Sequence, residues 1–258
     1  DELRGRLVEA RHEVITRLGA AARQHQARHV LVAGDMFDTI GPSAAVRRQA
    51  ATAMTVAKDL EWWIIPGNHD SLRAEELWHA FEEESGDNVH LLRDPQPVEM
   101  ADGVVLLPAP LPRQFPGTDL TAWMGGSDLP KTALRIGLAH GGVVSFGDDF
   151  DGSAVIAPDR AETAGLDYLA LGDWHGQLKV SERCWYSGTP ERDRFKHDGR
   201  GVCLGVTLGE PGAVPRVEPI EVGRFDWSAP DVLLSPGMDI TGELARVLSP
   251  DRAARRDI

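Results

Sequence analysis

Cysteine is scarce in this sequence, with only Cys184 and Cys203 among 258 residues. The two lie far apart and neither belongs to a CxxC pair. A cysteine-based metal site or a disulfide framework is therefore disfavoured, and buried strand positions are the better interpretation. No apolar run approaches the roughly 20 residues that a membrane-spanning helix needs, and no secretory signal peptide is visible. These absences lead us to expect a cytoplasmic protein without a membrane partner.

Positive charge is also in short supply, because 27 Lys and Arg residues face 40 Asp and Glu residues, for a formal net charge of −13. This disfavours a protein that coats nucleic acid, since affinity for phosphates needs clustered cations. A catalytic domain that acts on DNA is still compatible with this net charge, because metal ions, local arginines or a partner protein can supply the positive charge that attracts phosphates. Hydrophobic residues make up 42% of the chain, enough for a globular domain with a sizeable core.

What the chain does have is a regular alternation of helical and strand patterns in its first half. A helix is predicted from Leu3 to about Gln26, and the apolar runs at 29–33 and 62–65 predict buried strands, each followed by a helix. In the second half, Asp102-Gly103 predicts a β-hairpin and short β runs dominate. The pattern predicts an α/β fold in which two packed mixed β-sheets are flanked by helices.

Four apolar runs end in the same way, on glycine beside a side chain that can bind metal or move a proton. These ends are Gly34-Asp35, Gly67-Asn68-His69-Asp70, His140-Gly141 and Gly172-Asp173-Trp174-His175. Because ligands gather at the carboxyl ends of strands in an open α/β sheet, we expect these side chains to meet at one edge. Taken singly, an Asp can cap a helix, an Asn can shape a turn and a His can be structural. Four coinciding strand ends favour a functional site.

These motifs in this order resemble the calcineurin-like metallophosphoesterase superfamily, from about Val30 to Pro190. The resemblance implies a four-layer sandwich, with residues 1–225 as the catalytic domain and 226–258 as a C-terminal extension or the start of a cap or linker. The amino-acid sequence at residues 32–39 and 185–191 is most similar to the SbcD-like DNA-repair exonuclease branch. That implies a DNA nuclease partnered with a coiled-coil SMC-like ATPase, and a homodimer is a further expectation.

The resemblance also assigns roles to the matching residues. Asp35 would bridge two divalent metal ions, with Mn²⁺ preferred and Fe, Zn or Mg as alternatives. Asn68 and His140 would bind the second metal, and His175 would bind the first. Two such ions activate a bridging hydroxide and neutralise the phosphoryl oxygens during in-line attack.

Acid–base roles fall to the residues beside the ligands. His69 would contact the substrate phosphate and protonate the leaving oxygen. Asp70 would orient His69 or support its charge. Asp38 is interpreted as a residue that holds its loop through hydrogen bonds rather than as a metal ligand.

Two features depart from the family's pattern. The family usually opens with an Asp-x-His strand end that supplies two ligands to the first metal, and none precedes Asp35. We expect these ligands in a segment ahead of Asp1, and an incomplete first site is the alternative. Asp173 stands where the family generally has histidine. We expect it to ligate the second metal, where an added carboxylate favours Mn²⁺; the alternative is that it only hydrogen-bonds a ligand.

Substrate contacts are expected from Trp174 and from the basic cluster that follows residue 191. The cluster comprises Arg192, Arg194, Lys196, His197 and Arg200. It could grip a nucleic-acid backbone, and an exposed turn is an equally good interpretation. Two other functions stay open: a phosphodiesterase or phosphatase for small phosphoesters, which the acidic charge tolerates better, and a catalytically impaired scaffold with an incomplete metal site.

Overall fold

The computed structural model describes residues 2–143, 155–192, 194–195, 199–229, 231–233, 235 and 237–247, so Lys196 and His197 of the basic cluster lie outside the described residues. The described part is a mixed α/β fold with several sheets flanked by helices, as predicted. Its helices are α1 (Glu2–Gln24), α2 (Ala44–Thr55), α3 (Glu75–Glu84), α4 (Arg160–Thr163) and α5 (Ile240–Val247). Its strands are β1 (His29–Ala33), β2 (Glu61–Ile65), β3 (Val89–Leu91), β4 (Val98–Ala101), β5 (Val104–Ala109), β6 (Leu134–His140), β7 (Gly142–Val143), β8 (Val155–Ile156), β9 (Tyr168–Gly172), β10 (Leu178–Lys179), β11 (Cys184–Tyr186), β12 (Gly199–Thr207) and β13 (Arg216–Trp227).

The first sheet contains three strands in the order β1-β2-β3, and all of them run parallel. Helices α2 and α3 connect them along the chain. The hydroxyl of Ser43 caps α2 by accepting a hydrogen bond from Val46 N at 3.3 Å. The helices bury Trp78 and Phe81 against Trp62 of β2, and all three side chains are inaccessible to solvent. This apolar core fixes the first sheet to its covering helices.

The second sheet is mixed and has six strands in the order β10-β11-β9-β6-β5-β4. The four central strands run parallel, and β4 and β10 pair antiparallel at the two edges. The predicted hairpin at Asp102-Gly103 joins β4 to β5, and Gly103 takes the positive φ of +70° that glycine tolerates. Strands β12 and β13 form a separate antiparallel ribbon, and β7 pairs with β8.

The two main sheets pack against each other through a shared apolar core. Trp63 and Ile65 of the first sheet lie in one cluster with Leu106, Leu138 and Tyr168 of the second. Parallel strands in both sheets bring their carboxyl ends toward the same edge of the two packed sheets. That arrangement, rather than any single element, decides where the motif residues meet.

Strand β13 is anchored on α1. The guanidinium of Arg17 donates through Nε to the carbonyl of Val222 in β13 at 2.7 Å. Strand β13 continues to Trp227, and the predicted domain boundary at residue 225 therefore falls within a strand. No described helix is both long and apolar enough to cross a membrane.

Candidate metal centre

Three glycines let the predicted strand ends approach one another closely. A Cβ atom built on Gly34 would lie 2.3 Å from His140 Nδ1, and one on Gly67 would lie 2.2 Å from Asp35 Oδ1. On Gly172 it would lie 1.9 Å from the carbonyl oxygen of Ala33. Any larger residue would push these loops apart. The glycines beside Asp35, Asn68 and Asp173 thus allow the strand ends of both sheets to meet here.

His140, at the end of β6, is the most enclosed member of the site, with 2% of its surface exposed. Its Nδ1–H donates to the carbonyl of Ala33 at 2.7 Å, which leaves the lone pair on Nε2. This Nε2 lies 3.3 Å from Asp35 Oδ2 and 3.7 Å from Asp173 Oδ1 without forming a hydrogen bond. A buried lone pair facing two carboxylate oxygens is an arrangement that a cation stabilises.

Asn68 contains a second buried polar atom without a partner, on a side chain that contacts the carboxylate of Asp173. Its Nδ2 donates to Asp173 Oδ1 at 3.3 Å, which fixes the orientation of the amide. Its Oδ1 is buried and has no hydrogen-bond partner among the described residues. A buried polar atom left unpaired is costly and needs an explanation. A metal ion bound by Asn68 Oδ1 and His140 Nε2 would supply one.

Asp35 follows β1 in a left-handed conformation with φ 52°, and Asp173 has φ 98°. Such backbone is strained for residues other than glycine and concentrates at functional sites. Asp35 Oδ1 accepts from His69 N at 2.9 Å. Burial would raise the pKa of Asp35, but the adjacent imidazole of His140 and the amide of His69 lower it below its usual range. The same carboxylates raise the pKa of His140, against a burial effect that lowers it. The site is therefore built to hold positive charge.

His69 is exposed at the mouth of the site. Its Nδ1 lies 3.2 Å from the carbonyl oxygen of Asp38 and can only donate to it, so Nε2 remains for a substrate. The carboxylate of Asp38 forms an ion pair with Arg11 of α1. Asp38 thus holds its loop from both its backbone and its side chain.

Asp70 is completely buried behind the ligand loops. One carboxylate oxygen accepts from Gly67 N at 2.7 Å and the other from Phe37 N at 3.0 Å. Burial raises the pKa of this carboxyl to about 6, although the two amides act in the opposite direction. Asp70 therefore ties the loop that carries Asp35 to the loop that carries Asn68. Its predicted role of orienting His69 or supporting its charge stays a prediction.

The donor set fits a divalent metal only when Asn68 is included. Within the described ranges, no group of three or more His, Cys, Asp or Glu side chains forms a metal-binding group by itself. With the amide oxygen of Asn68, the side chains of Asp35, His140 and Asp173 would offer oxygen and imidazole ligands to a divalent cation. The two buried atoms without hydrogen bonds are the observation that makes this fit.

The remaining predicted residues lie on the loops after β9 and β11. His175 is exposed, and its carbonyl accepts from Thr189 N at 2.9 Å. Trp174 is half-buried and packs against the core of the second sheet. Arg192 is half-buried and Arg194 is exposed. The structure thus brings Asp35, Asn68, His69, His140 and Asp173 together. His175, Trp174, Arg192 and Arg194 lie on neighbouring loops.

Glu191 was not predicted from the sequence as a site residue. It is 3% exposed and helps to hold the region around His175 in place. Its carboxylate pairs with the guanidinium of Arg17 and accepts from Arg224 N at 2.7 Å and Phe225 N at 3.2 Å. Two residues earlier, Thr189 holds the carbonyl of His175. Glu191 therefore links α1 and β13 to the loop that bears His175. In the sequence, Glu191 stood out only as the last residue of the 185–191 segment, and that segment does not reveal its partners.

Comparisons with known proteins identify one family and several solved structures that this chain resembles. The model of the calcineurin-like phosphoesterase family matches residues 8–198. Among solved structures, TT1561 of Thermus thermophilus is 11% identical with a TM-score of 0.48, over 81% of this chain and 93% of that one. A second crystal structure is 10% identical with a TM-score of 0.46, over 81% of this chain and 94% of that one. No curated protein matches the sequence.

Proposed function

This chain belongs to the calcineurin-like phosphoesterases, a family that hydrolyses phosphoesters with bound divalent metals, and on that premise we propose that it cleaves phosphodiester bonds in DNA with Mn²⁺. The similarity of residues 32–39 and 185–191 to SbcD-like nucleases supports DNA as the substrate. The same similarity supports a coiled-coil ATPase as partner and a cytoplasmic location.

The observation that carries the hydrolase proposal is the pair of buried atoms, Asn68 Oδ1 and His140 Nε2, that have no hydrogen bond among the described residues, although both side chains lie next to the carboxylate of Asp173. The carboxylates of Asp35 and Asp173 lie 3.3 Å and 3.7 Å from His140 Nε2. Divalent metals held there would supply charge neutralisation at the phosphate and an activated water. The residues themselves set the charge: two carboxylates, one imidazole and one neutral amide favour a hard cation such as Mn²⁺.

His69 acts as the general acid in this proposal. The hydrogen bond from Nδ1 to Asp38 O fixes the ring, and the bond from its backbone N to Asp35 Oδ1 fixes the loop. The free Nε2 is then the atom that carries a proton to the leaving oxygen when the imidazole is charged. The carbonyl of Asp38 holds the ring of His69, and Asp70 ties the loops of Asp35 and Asn68 together through two backbone amides.

The test is hydrolysis by the purified full-length protein supplied with Mn²⁺. Linear DNA, bis(p-nitrophenyl) phosphate and p-nitrophenyl phosphate are compared as polymer, small diester and monoester. We expect DNA to be preferred, and His69→Ala to lower turnover by about 10²–10⁴-fold. His79→Ala on α3 is the matched control, because His79 is exposed and pairs only with Glu83 among the described residues.

Each result decides between the alternatives. Turnover of the small esters without DNA cleavage would replace the nuclease proposal with a small-phosphoester hydrolase. Protein that binds no Mn²⁺, Zn²⁺ or Fe²⁺ by elemental analysis would favour the impaired scaffold. Full activity of His69→Ala would refute the acid role.

A further inference from the structure

A proline-rich loop of residues 110–117 leaves the second sheet beside the candidate centre. In the parallel register Ala109 of β5 pairs with Ala139, the residue before His140. Pro110 therefore begins the loop at the level of the buried imidazole. The loop contains none of the candidate metal ligands and none of the motif residues.

The loop is fastened to the segment that carries Asn68 and His69. Leu111 N donates to the carbonyl of Pro66 at 3.2 Å, and Leu72 N donates to the carbonyl of Leu111 at 3.0 Å. Leu111 is 1% exposed. It thus bridges the start and the end of the Gly67–Ser71 turn. Residues only two to four positions further along lie within roughly 7–14 Å of Leu111, because each residue spans at most about 3.6 Å.

The loop is stiff. Pro110, Pro112 and Pro116 fix their own φ angles, and Gly117 closes the loop with a φ of +72°. The guanidinium of Arg113 donates to the carbonyl of Pro116 at 3.0 Å and holds the turn between them. A segment ordered before binding loses little entropy when a ligand arrives.

Two exposed side chains of this loop suit a nucleotide. Phe115 has 49% of its surface exposed. Arg113 is exposed, and no described carboxylate lies within ion-pair distance of it. In a chain of net charge −13, the carboxylates of Asp35 and Asp173 repel a polyanion. A guanidinium without a counter-charge near this edge would attract the phosphates of that polyanion.

We propose that this loop binds the nucleotide next to the scissile phosphate, with Arg113 on its phosphate and Phe115 stacked on its base. The inference rests on the proposed function and adds a substrate class, a nucleic-acid strand with an unpaired base. Guanidinium groups match phosphate geometry, and an aromatic ring stacks on any base, which gives affinity without sequence preference. A small phosphoester without an aromatic base would make no use of Phe115.

The test is binding of labelled single-stranded DNA, followed by fluorescence anisotropy in full-length protein carrying His69→Ala to prevent cleavage. The same strand with its bases removed separates stacking from backbone contacts. Phe115→Ala should weaken binding of the base-bearing strand by roughly 5- to 150-fold, the range that stacking of one base supplies, and leave the abasic strand unchanged. Arg113→Ala should weaken both strands, and Phe115→Tyr should restore the preference for bases.

Two surface variants serve as matched controls. Val56→Ala removes an apolar side chain that is 70% exposed at the end of α2. Arg28→Ala removes an exposed arginine just before β1, at the opposite end of the parallel strands. Neither should change binding of either strand.

The outcomes separate this inference from the proposed function. Equal loss on both strands in Phe115→Ala, no loss at all, or no binding of DNA by the parent protein would overturn the role of the loop. A base preference that depends on Phe115 in a protein that cleaves no DNA would leave the loop proposal standing and refute the nuclease.

Discussion

Asn68 and Asp173 meet across the two sheets, with Asn68 Nδ2 donating to Asp173 Oδ1 at 3.3 Å. Asn68 follows β2 of the first sheet, and Asp173 follows β9 of the second. The bond fixes the amide of Asn68, whose Oδ1 is buried and has no hydrogen bond among the described residues. The residue that departs from the family's histidine therefore orients the amide of a proposed metal ligand.

Replacing Asp173 tests whether it binds metal or only orients Asn68. We expect Asp173→Ala and Asp173→Asn both to lower Mn²⁺ affinity, by about 10–100-fold, because both remove a carboxylate from the site. An Asn at this position still offers an oxygen to Asn68. Retention of affinity in Asp173→Asn alone would therefore assign Asp173 the orienting role only. Calorimetric titration of Mn²⁺ into metal-free protein measures the effect, and Asp94→Ala in an exposed bend is the control.

The convergence of the strand ends can be measured by a pair of glycine substitutions. Gly34 and Gly103 both have positive φ, at 82° and 70°, so alanine at either position incurs about 1–2 kcal/mol of backbone strain. Only at Gly34 would the new Cβ meet other atoms, 2.3 Å from His140 Nδ1 and 2.8 Å from Gly67 Cα. We expect Gly34→Ala to lower the free energy of unfolding by about 1–3 kcal/mol more than Gly103→Ala. Equal losses in urea unfolding would mean that the loops are not packed as described.

The strand ends were predictable because they depend on local pattern. Apolar runs that stop at glycine and a polar residue mark the carboxyl ends of strands, and parallel pairing then brings Asp35, Asn68, His140 and Asp173 together. Helix α1 was predicted within two residues at its C-terminus for the same reason. Among the described residues, the whole of the first sheet is parallel, and the antiparallel pairs lie at the edges of the second sheet and in the β12-β13 ribbon.

The functions of buried carboxylates were not predictable, because their partners lie far away in the sequence. Glu191 binds Arg17, which is 174 positions away. Asp70 uses both oxygens on backbone amides, and no pattern of side chains encodes which amides a loop will expose. Tertiary structure alone supplies such partners.

Glu191 should matter for stability far more than its neighbours on the same arginine. Glu191→Ala leaves Arg17 without its buried counter-charge and two backbone amides without an acceptor. We expect a loss of about 2–4 kcal/mol in the free energy of unfolding. Glu13 also lies 3.4 Å from Arg17, but it is exposed, so Glu13→Gln should change stability by less than about 1 kcal/mol. Similar effects of the two substitutions in urea unfolding would contradict the anchoring role of Glu191.

His29, at the start of β1, should make the protein less stable in acid. Trp63 Nε1 donates to His29 Nδ1 at 3.2 Å, so the ring must accept there and is neutral in this bond. Burial lowers the pKa of His29 below 6.5; Arg28 and His90 act in the same direction, and Glu61 opposes them. The folded state therefore binds fewer protons than the unfolded state. The stability from this bond is present above pH 6.5 and is lost as the pH falls through the lowered pKa.

The measurement is the melting temperature of wild type and variants from above pH 6.5 into the acid range. His29→Ala should have a lower melting temperature at high pH, because it lacks the bond to Trp63, and should lose less on acidification. Trp63→Phe should behave alike, since it removes the donor and keeps an aromatic ring against His90, on which Trp63 stacks at 4.1 Å. His79→Ala, on the exposed face of α3, should retain the wild-type pH dependence. A wild-type acid response in both His29→Ala and Trp63→Phe would assign the titration to another group, because these two side chains share the one bond that protonation of His29 breaks.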